Sequence, residues 1–277
     1  MKEHGNITDK YVLVTGGASG VGLAVTLKLT KSGYTVFCAD INNYTGESNK
    51  NIIPLIMDVT KAASIEAALD LVKQHTGKLL AIVNCAGIFV MNSVVEIEEE
   101  LLRKILEVNL FGMYRVNKTF LPLLKGNYSK IINISSEVAQ YSSAPFNGPY
   151  TISKYAVEAY SDALRRELML LNIPVIKVRP GSLKTNMLKD ANKSFEDLLK
   201  TTQYFKESLR KMNKLMAHEL NKTNAPARLA KLIKKIIETK KPKIMYRIVN
   251  SKKLKLLGML PERLQDRIYK KVISGNN

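Results

Sequence analysis

The chain has 277 residues, of which 45% are hydrophobic and 24% charged, a balance that excludes a disordered or fibrous protein and suits one large α/β domain. The formal net charge is +19, and residues 189–277 carry most of it, with 23 Lys and Arg against 8 Asp and Glu. Such a basic third could meet an anionic membrane, an acidic substrate or nucleic acid. A solvated Lys-rich surface is the plainer interpretation.

Membrane-spanning runs, a secretion signal and cysteine usage bear on the cellular compartment of the protein. No apolar run reaches the roughly 18 residues of a membrane-spanning helix. The segment Met1 to Lys10 lacks the apolar run of a secretion signal. The two cysteines, Cys38 and Cys85, lie in or beside predicted strands, so we expect no disulfide framework. These features predict an intracellular protein, cytoplasmic and possibly in contact with a membrane.

Predicted strands and helices alternate along the first two thirds of the chain. Short apolar runs typical of buried strands occupy residues 11–15, 35–40, 52–57, 79–84, 130–135 and 174–179. Helix-length periodic segments occupy residues 21–32, 61–75, 97–124 and 150–171. This alternation predicts an α/β fold, a doubly wound parallel sheet of about seven strands with helices on both faces.

Beyond Pro180 the alternation weakens. Residues 183–222 resemble helices and loops of a substrate lid, residues 225–239 a helix, and residues 244–248 a last short strand. Residues 254–273 form a basic amphipathic stretch interrupted by Pro261. We therefore expect a single domain spanning 1–277, with a cofactor-binding and catalytic core at 8–188 and a lid with a basic C-terminal extension at 189–277.

A glycine-rich segment follows the first predicted strand and leads directly into the first helix. It reads Thr15-Gly16-Gly17-Ala18-Ser19-Gly20-Val21-Gly22. Glycines at such a junction let the backbone turn tightly and approach a pyrophosphate, which then lies at the positive end of the helix. Glycines also serve ordinary turns, but the position between strand and helix is the context that the motif requires. The segment predicts a dinucleotide site.

Asp40 ends the second predicted strand, 18 residues after Gly22. A carboxylate there can accept hydrogen bonds from the adenosine ribose and repels a 2′-phosphate. The next residue is Ile41 rather than an arginine that could hold that phosphate. A strand-end Asp is also a common turn residue, but this one favours NAD over NADP.

Tyr150 and Lys154 are one helical turn apart and project from the same face of a predicted helix. A phenol with its ordinary pKa of about 10 is a poor base, and a nearby ammonium stabilises the phenolate. Alone, such a pair is more often a surface contact. Its significance depends on the surrounding motifs.

Six ordered motifs over about residues 8–188 resemble those of the short-chain dehydrogenase/reductase family. They are the glycine segment, Asn84-Cys85-Ala86-Gly87, Asn109, Ser135-Ser136, Tyr150-Thr151-Ile152-Ser153-Lys154, and Pro180-Gly181 followed by Thr185. The resemblance implies a Rossmann-like fold and an NAD(P)-dependent oxidoreductase. The segment from Gly148 to Asp162 is similar to the branch of hydroxysteroid and retinol dehydrogenases.

The resemblance also implies individual roles. Tyr150 would be the general acid/base and Ser136 would hold the substrate oxygen. Lys154 would bind the nicotinamide ribose and lower the pKa of Tyr150, and Asn109 would anchor a water relay. The implied cofactor residues, besides Asp40, Tyr150 and Lys154, are Thr15, Gly16, Ser19, Gly20, Val21 and Gly22 at the diphosphate, Asp58 and Val59 near adenine, Asn84, Ala86 and Gly87 on the adenosine side, and Pro180, Gly181 and Thr185, the last near the carboxamide.

One spacing departs from the family pattern. Ser136 lies 14 residues before Tyr150, about one more than usual, so the loop between them is expected to be longer. Ser135 remains an alternative source of the catalytic hydroxyl, because strand alternation sends the two side chains to opposite faces.

The substrate implied is a bulky apolar alcohol or ketone. Candidate pocket residues, which could equally be plain core, are Ile88, Phe89, Met91, Val138, Tyr141, Phe146, Leu183 and Met187. The rival hypothesis is a dinucleotide-binding regulatory or scaffold protein without turnover.

Partners and metals are predicted only in outline. We expect a homodimer or homotetramer formed through the long helices, and possibly a peripheral membrane contact through the basic C-terminal region. Leu254, Leu256, Leu257, Met259 and Leu260 would provide the apolar face of that contact, beside Lys252, Lys253 and Lys255. Nucleic acid is not expected, since no basic motif is interleaved with aromatics. No metal is implied, because His4, His75 and His218 are scattered.

Overall fold

The computed structural model describes residues 10–219 and 224–274, and a seven-stranded parallel sheet forms its centre. The strand order is β3-β2-β1-β4-β5-β6-β7, and every neighbouring pair is parallel. The strands are β1 Tyr11–Thr15, β2 Thr35–Asp40, β3 Ile52–Ile56, β4 Ala81–Asn84, β5 Lys130–Ile134, β6 Val175–Pro180 and β7 Met245–Ile248. The predicted fold class and strand number are confirmed. Residues 1–9, which include His4, lie outside the described residues.

Ten α-helices are described around the sheet. They are α1 Gly20–Thr30, α2 Ala62–His75, α3 Glu99–Leu106, α4 Met113–Phe120, α5 Gly148–Leu168, α6 Asn186–Thr201, α7 Lys206–Glu219, α8 Ala227–Glu238, α9 Lys252–Leu257 and α10 Glu262–Ser274. Among these segments, no helix is long and apolar enough to cross a membrane.

The core has two halves, one on each face of the sheet, because successive side chains of a strand point to opposite faces. Leu13 of β1 packs on the face covered by α2, α4 and α5, with Phe120 and Leu168. Its neighbours Val12 and Val14 pack on the other face, against α1 and α8. Strands that are apolar on both faces thus lie between two helical layers, as a parallel sheet requires.

The predicted continuous helix at residues 97–124 is interrupted. A π-helical segment, Glu107–Gly112, separates α3 from α4, and a 3₁₀ turn, Leu121–Leu123, ends the run. The Asn109 side chain bonds to the backbone of Ile88 on a neighbouring loop, and a Cβ on Gly112 would lie 2.7 Å from Val59 Cγ2. Tertiary contacts thus accompany the widened turn, which the apolar period does not reveal.

The C-terminal third contributes the edge strand β7 and the helices α6 to α10. Strand β7 pairs with β6, and α8 packs against α1 through Leu229, Ile233 and Ile236. Helices α6 and α7 lie in the region predicted to form a lid. The predicted interruption at Pro261 is present, since it falls between α9 and α10.

Candidate active site

The candidate site lies at the carboxyl ends of β1, β4, β5 and β6, where the loops after these strands meet. The strand order reverses at β1, which has β2 on one side and β4 on the other. Ligands of doubly wound sheets bind in the crevice at this switch point. The six motifs of the family resemblance belong to these loops and to the helices that follow them, while Asp40 and Asp58 lie at the ends of the neighbouring strands β2 and β3.

The glycine loop between β1 and α1 turns tightly. Gly16 and Gly20 have φ values of +63° and +50°, which favour glycine. A Cβ on Gly22 would lie 2.0 Å from the carbonyl oxygen of Gly16, so this position admits only glycine. The Ser19 side chain makes no capping hydrogen bond to α1. The amide groups at the start of α1 therefore suit an anion.

Thr15 and the loop after β4 are fastened together. The Thr15 hydroxyl accepts hydrogen bonds from the backbone amides of Cys85 and Ala86, both at 3.1 Å. A Cβ on Gly16 would lie 3.0 Å from Ala86 Cα. The Thr15 side chain thus positions the glycine loop against the β4 loop, while its proximity to a diphosphate stays a prediction.

Asp40 lies at the end of β2 beside the glycine loop. Its Oδ2 accepts a hydrogen bond from the amide of Ala18 at 3.1 Å, and its Oδ1 accepts one from the amide of Asn42 at 3.0 Å. The carboxylate is 7% exposed. These two backbone amides fix the orientation of the Asp40 carboxylate beside the glycine loop.

Asp58 and Asn84 both have internal partners. Asp58 Oδ1 accepts from the amide and hydroxyl of Thr60, and the carboxylate pairs with the exposed Lys61. Asn84, which is 2% exposed, donates to the side-chain oxygens of Asn117 at 2.8 Å and Asn133 at 2.9 Å. Its amide is therefore part of a buried polar network, a role the sequence did not predict.

The loop after β6 closes against the glycine loop. Thr185, the N-cap of α6, lies 3.5 Å from where a Cβ on Gly20 would be. Gly181 donates its amide hydrogen bond to Ile248 of β7, and a Cβ there would lie 2.3 Å from the Val249 carbonyl oxygen. The Pro180-Gly181 turn and Thr185 are thus brought to the α1 side of the crevice.

Tyr150, Lys154 and Ser136 meet at the carboxyl end of β5. Lys154 Nζ is 5.6 Å from the centroid of the Tyr150 ring and donates to the carbonyl of Ile134 at 3.1 Å. Ser136 begins the 3₁₀ turn Glu137–Gln140, and its hydroxyl accepts from the Val138 amide at 3.4 Å. Ser135 is 2% exposed and therefore less accessible than Ser136 at 8%.

Asn109 connects the β4 loop to α5, the helix that carries Tyr150 and Lys154. Its Oδ1 accepts from the amide of Ile88 at 2.8 Å, and its Nδ2 donates to the Ile88 carbonyl and to the Ser153 hydroxyl. A Cβ on Gly87 would lie 3.1 Å from Asn109 Oδ1 and 3.8 Å from Lys154 Nζ. Asn109, Gly87 and Lys154 therefore form one contiguous corner of the site.

Burial sets the ionisation of the central pair. It raises the pKa of Tyr150 to about 12, against a smaller lowering effect of the Ser136 hydroxyl. It lowers the pKa of Lys154 to about 8, although Cys85 and Glu158 act in the opposite direction. The phenol needs a nearby positive charge to act as a base, and Lys154 can provide it only while protonated.

The wall beside Tyr150 is apolar. The Phe89 ring lies 4.6 Å from the Tyr150 ring, centroid to centroid. Phe89 belongs to an apolar cluster that also contains Met91 and Phe146. The same cluster includes residues of α6, α7 and the turn between them, namely Phe195, Leu198, Phe205 and Leu209. Ile88 and Val138 pack in the cluster around Tyr150. Leu183 instead packs in the half of the core covered by α1 and α8. Five of the predicted pocket residues therefore belong to the apolar clusters next to Tyr150, namely Ile88, Phe89, Met91, Val138 and Phe146.

Metal ligation finds no support in the part of the chain that the structure describes, where no three His, Cys, Asp or Glu side chains cluster. His75 is exposed at the end of α2, with its ring against Phe37. His218 lies in α7, but its side chain is outside the described set.

Comparison with known proteins identifies the family. The sequence profile of the short chain dehydrogenases matches residues 10–196. The chain belongs to the short-chain dehydrogenase family. A short-chain dehydrogenase structure from Streptomyces avermitilis superposes with a TM-score of 0.74, at 24% identity over 97% of this chain and 98% of that one.

Similar members of the short-chain dehydrogenase family fall in the retinol and hydroxysteroid branch. Retinol dehydrogenase 7 of Mus musculus is 38% identical over 66% of this chain and 59% of its own length. 17-beta-hydroxysteroid dehydrogenase type 6 of Rattus norvegicus is 37% identical over 74% of this chain and 66% of its own length. This chain thus spans about three fifths of the mouse protein.

A bacterial relative matches nearly end to end. The NADPH-dependent 3-dehydrocapnine reductase of Ornithobacterium rhinotracheale is 32% identical over 95% of this chain and 96% of its own length.

Glu96 of this short-chain dehydrogenase ties the loop after β4 to the turn between α6 and α7, a contact that the sequence did not predict. Glu96 accepts hydrogen bonds from the Thr202 hydroxyl at 2.9 Å and from the amides of Gln203 at 2.7 Å and Tyr204 at 3.1 Å. Desolvation acts to raise the pKa of Glu96, but these hydrogen bonds outweigh it and lower the pKa below its usual value. The carboxylate thus ties the α6–α7 turn to the site across 106 residues of sequence, which no local pattern signals.

Glu96→Gln is expected to weaken the attachment of the turn between α6 and α7 to the loop after β4. The amide keeps one acceptor oxygen but loses the charge that strengthens three hydrogen bonds. We expect the KM for the substrate to rise by about threefold to tenfold, with little change in the affinity for the nicotinamide cofactor. Steady-state kinetics checks this, with Glu100→Gln on the exposed first turn of α3 as the control. An unchanged KM would contradict the role of the Glu96 hydrogen bonds in holding the α6–α7 turn beside the site.

Proposed function

We propose that the chain is an NAD-dependent short-chain dehydrogenase/reductase that interconverts a secondary alcohol and a ketone, or an alcohol and an aldehyde, on a bulky apolar substrate. A hydroxysteroid or a retinoid-like lipid is the substrate class that we favour. The observation that carries this proposal is the buried Tyr150–Lys154 pair, with Lys154 Nζ 5.6 Å from the Tyr150 ring, beside the glycine loop and the Phe89 wall.

The residues suit a simple division of the chemistry. A bound nicotinamide supplies the acceptor or donor of the hydride. In the direction of oxidation, Tyr150 takes the proton of the substrate hydroxyl, while Ser136 holds the substrate oxygen. Lys154 stabilises the Tyr150 phenolate, and Asn109 aligns the loop and helix on either side of Lys154. In reduction, Tyr150 returns the proton to the oxygen.

The cradle for the dinucleotide is assigned to the loops around the switch point. The diphosphate would lie on the Gly16–Gly22 turn and the start of α1, and the adenosine between Asp40, Asp58 and Val59. The backbone at Asn84, Ala86 and Gly87 would line its other side, since the Asn84 amide is engaged within the core. Pro180 and Gly181 would also contact the cofactor, and Thr185 would lie near the nicotinamide carboxamide.

NAD is proposed over NADP because of Asp40. Its buried carboxylate would repel a 2′-phosphate at the point where the ribose hydroxyls bind. The NADPH dependence named for the Ornithobacterium relative makes this choice worth testing directly.

Asp40→Ser is expected to shift the cofactor preference. It removes the charge that opposes a 2′-phosphate, so the ratio of kcat/KM for NADP over NAD should rise by about 10- to 100-fold. Binding of NAD should also weaken, since Ala18 and Asn42 lose their acceptor. Kinetics with both cofactors measures the ratio, and Asp70→Ser on α2 is the control. A wild-type protein that prefers NADP would contradict the NAD assignment.

The substrate class is tested by following nicotinamide absorbance with a panel. The panel contains hydroxysteroids, retinol, short aliphatic secondary alcohols and, in the reducing direction, 3-dehydrocapnine. Turnover of the bulky apolar members supports the proposal. Turnover restricted to short alcohols would contradict the apolar pocket, because such substrates would leave most of the Phe89–Phe205 cluster unused.

A non-catalytic dinucleotide-binding regulator or scaffold is the second candidate. Only absence of turnover with NAD binding intact would favour it. The joint presence of Asn109, Ser136, Tyr150 and Lys154 in one corner argues for catalysis, since a scaffold does not need that set.

A homodimer or homotetramer is proposed through the long helices. Phe111 and Tyr114 on the α3–α4 run and Ile152 and Tyr155 on α5 expose between 42% and 46% of their surface. Light scattering of the purified protein tests this, and a strictly monomeric mass would contradict it.

Peripheral membrane contact is proposed through the C-terminal region of a cytoplasmic protein. Leu256 and Met259 are 66% and 72% exposed, beside the exposed cations Lys252 and Lys255. Such a surface suits anionic lipid. Sedimentation with anionic vesicles at low salt should retain the protein, and Leu256→Glu with Met259→Glu should release it. Leu71→Glu on α2 is the control, and absence of wild-type binding overturns the contact. No nucleic-acid partner is proposed.

A further inference from the structure

A buried cluster of charges lies one helical turn beyond Lys154. Glu158 on α5 accepts two hydrogen bonds from Arg179, each at 2.9 Å and one to each carboxylate oxygen. Its Oε2 also lies 2.9 Å from Lys177 Nζ. Glu158 and Lys177 are each 7% exposed, and charges so buried are retained only with partners.

The cluster joins the segments that form the active site. Lys177 and Arg179 belong to β6, and Arg179 immediately precedes the Pro180-Gly181 turn. Arg179 Nη1 also donates to Gln140 Oε1 at 3.3 Å, in the 3₁₀ turn that Ser136 begins. Through this one carboxylate, the catalytic helix is linked to the end of β6 and to the turn after Ser136.

Glu158 also determines the charge balance around Lys154, which is 4% exposed. The hydrogen-bond acceptor of Lys154 Nζ is the neutral carbonyl of Ile134. Cys85 from the β4 loop and Glu158 act to keep Lys154 protonated against its burial. Burial raises the pKa values of Cys85 and Tyr150 to about 12, so both are neutral near pH 7. Glu158 follows Lys154 by one turn on the buried face of α5, and its partners Arg179 and Lys177 keep it anionic while offsetting part of its charge.

We propose that Glu158 is a positioning residue, whose carboxylate keeps the Lys154 ammonium charged and holds the end of β6 and the Ser136 turn against the catalytic helix. The proposal rests on the proposed function for its consequence in catalysis. The electrostatic link itself exists in the resting protein and can be measured without turnover.

The direct test is the titration of Lys154 by NMR in protein with ¹³Cε-labelled lysine, with the Lys154 signal identified by its absence in Lys154→Arg. An anionic neighbour favours the ammonium, so its removal lowers the pKa. In Glu158→Gln the midpoint should fall by about one pH unit from the wild-type value. In Glu158→Asp it should stay near that value.

Asp162→Asn is the matched control. Asp162 accepts from the same Lys177 at 2.7 Å but lies two helical turns from Lys154, with 42% of its side chain exposed. Its replacement should leave the Lys154 midpoint unchanged. An unshifted midpoint in folded Glu158→Gln, or an equal shift in Asp162→Asn, overturns the proposal.

Where Glu158→Gln alone does not fold, Glu158→Gln with Arg179→Gln removes the buried guanidinium together with its partner. The midpoint in that double variant should be lower than in Arg179→Gln alone, which lacks the guanidinium but keeps the carboxylate, and equal midpoints in these two variants overturn the proposal.

Kinetics then separates this inference from the proposed function. With an active wild type, the alkaline limb of kcat/KM should move to lower pH by the same interval in Glu158→Gln, with NAD affinity unchanged. A limb that stays in place overturns the catalytic part of the proposal. A wild type that is silent on every substrate contradicts the proposed function, while a shifted Lys154 midpoint still supports the electrostatic link.

Discussion

Tyr150→Phe is expected to lower kcat by about a thousandfold or more, because it removes the only hydroxyl proposed to exchange a proton with the substrate. The phenyl ring keeps the contact with Phe89, whose centroid lies 4.6 Å away, so the fold should be unaffected. NAD affinity should change little. Absorbance kinetics and a binding titration of the same preparation measure the two quantities.

Tyr155→Phe is the matched control for that experiment. Tyr155 is on the same helix, is 43% exposed and donates its hydroxyl to the carbonyl of Tyr141. It should retain wild-type turnover. Substantial turnover in Tyr150→Phe would show that another group carries the proton and would remove Tyr150 from the mechanism.

Gly22→Ala is expected to abolish NAD binding. The added Cβ would lie 2.0 Å from the carbonyl oxygen of Gly16, which is backbone and cannot turn aside as a side chain can. The glycine loop must therefore move away from the start of α1, and the phosphate cradle is lost with it. We expect the dissociation constant for NAD to rise by at least about 100-fold, measured by calorimetry.

Gly77→Ala distinguishes this local effect from a general cost of adding a methyl group. Nothing lies within 4 Å of a Cβ at Gly77, so this variant should bind NAD as the wild type does. Wild-type NAD affinity in a folded Gly22→Ala protein would contradict the placement of the diphosphate on this loop.

The strands were predictable because their signal is local. β1 and β2 have the predicted bounds, since both are short apolar runs ended by polar or glycine-rich segments. α5 begins at Gly148, two residues earlier than predicted, because Pro149 suits the first turn of a helix. The run at 97–124 was mispredicted as continuous, because the contacts of Asn109 and Gly112 come from loops distant in sequence.

The candidate site was predictable where its residues belong to ordered motifs. Thr15 and Asn84 show the limit of that approach. Both belong to motifs of the cofactor site, yet the Thr15 hydroxyl accepts from the β4 loop and the Asn84 amide bonds within the core. A motif specifies which residue stands at a position, whereas the partner of its side chain depends on which loops the fold brings near.

By itself, the sequence determined the alternation of strands and helices, the glycine loop, Asp40 and the one-turn spacing of Tyr150 and Lys154. These are properties of neighbouring residues, and steric and periodic rules govern them locally. Only the tertiary structure decided that Glu96 bonds to the turn between α6 and α7, that Glu158 pairs with Arg179, and that burial shifts the pKa values of Tyr150 and Lys154. Desolvation and charge pairing depend on distances between segments that are far apart along the chain, and folding alone sets those distances.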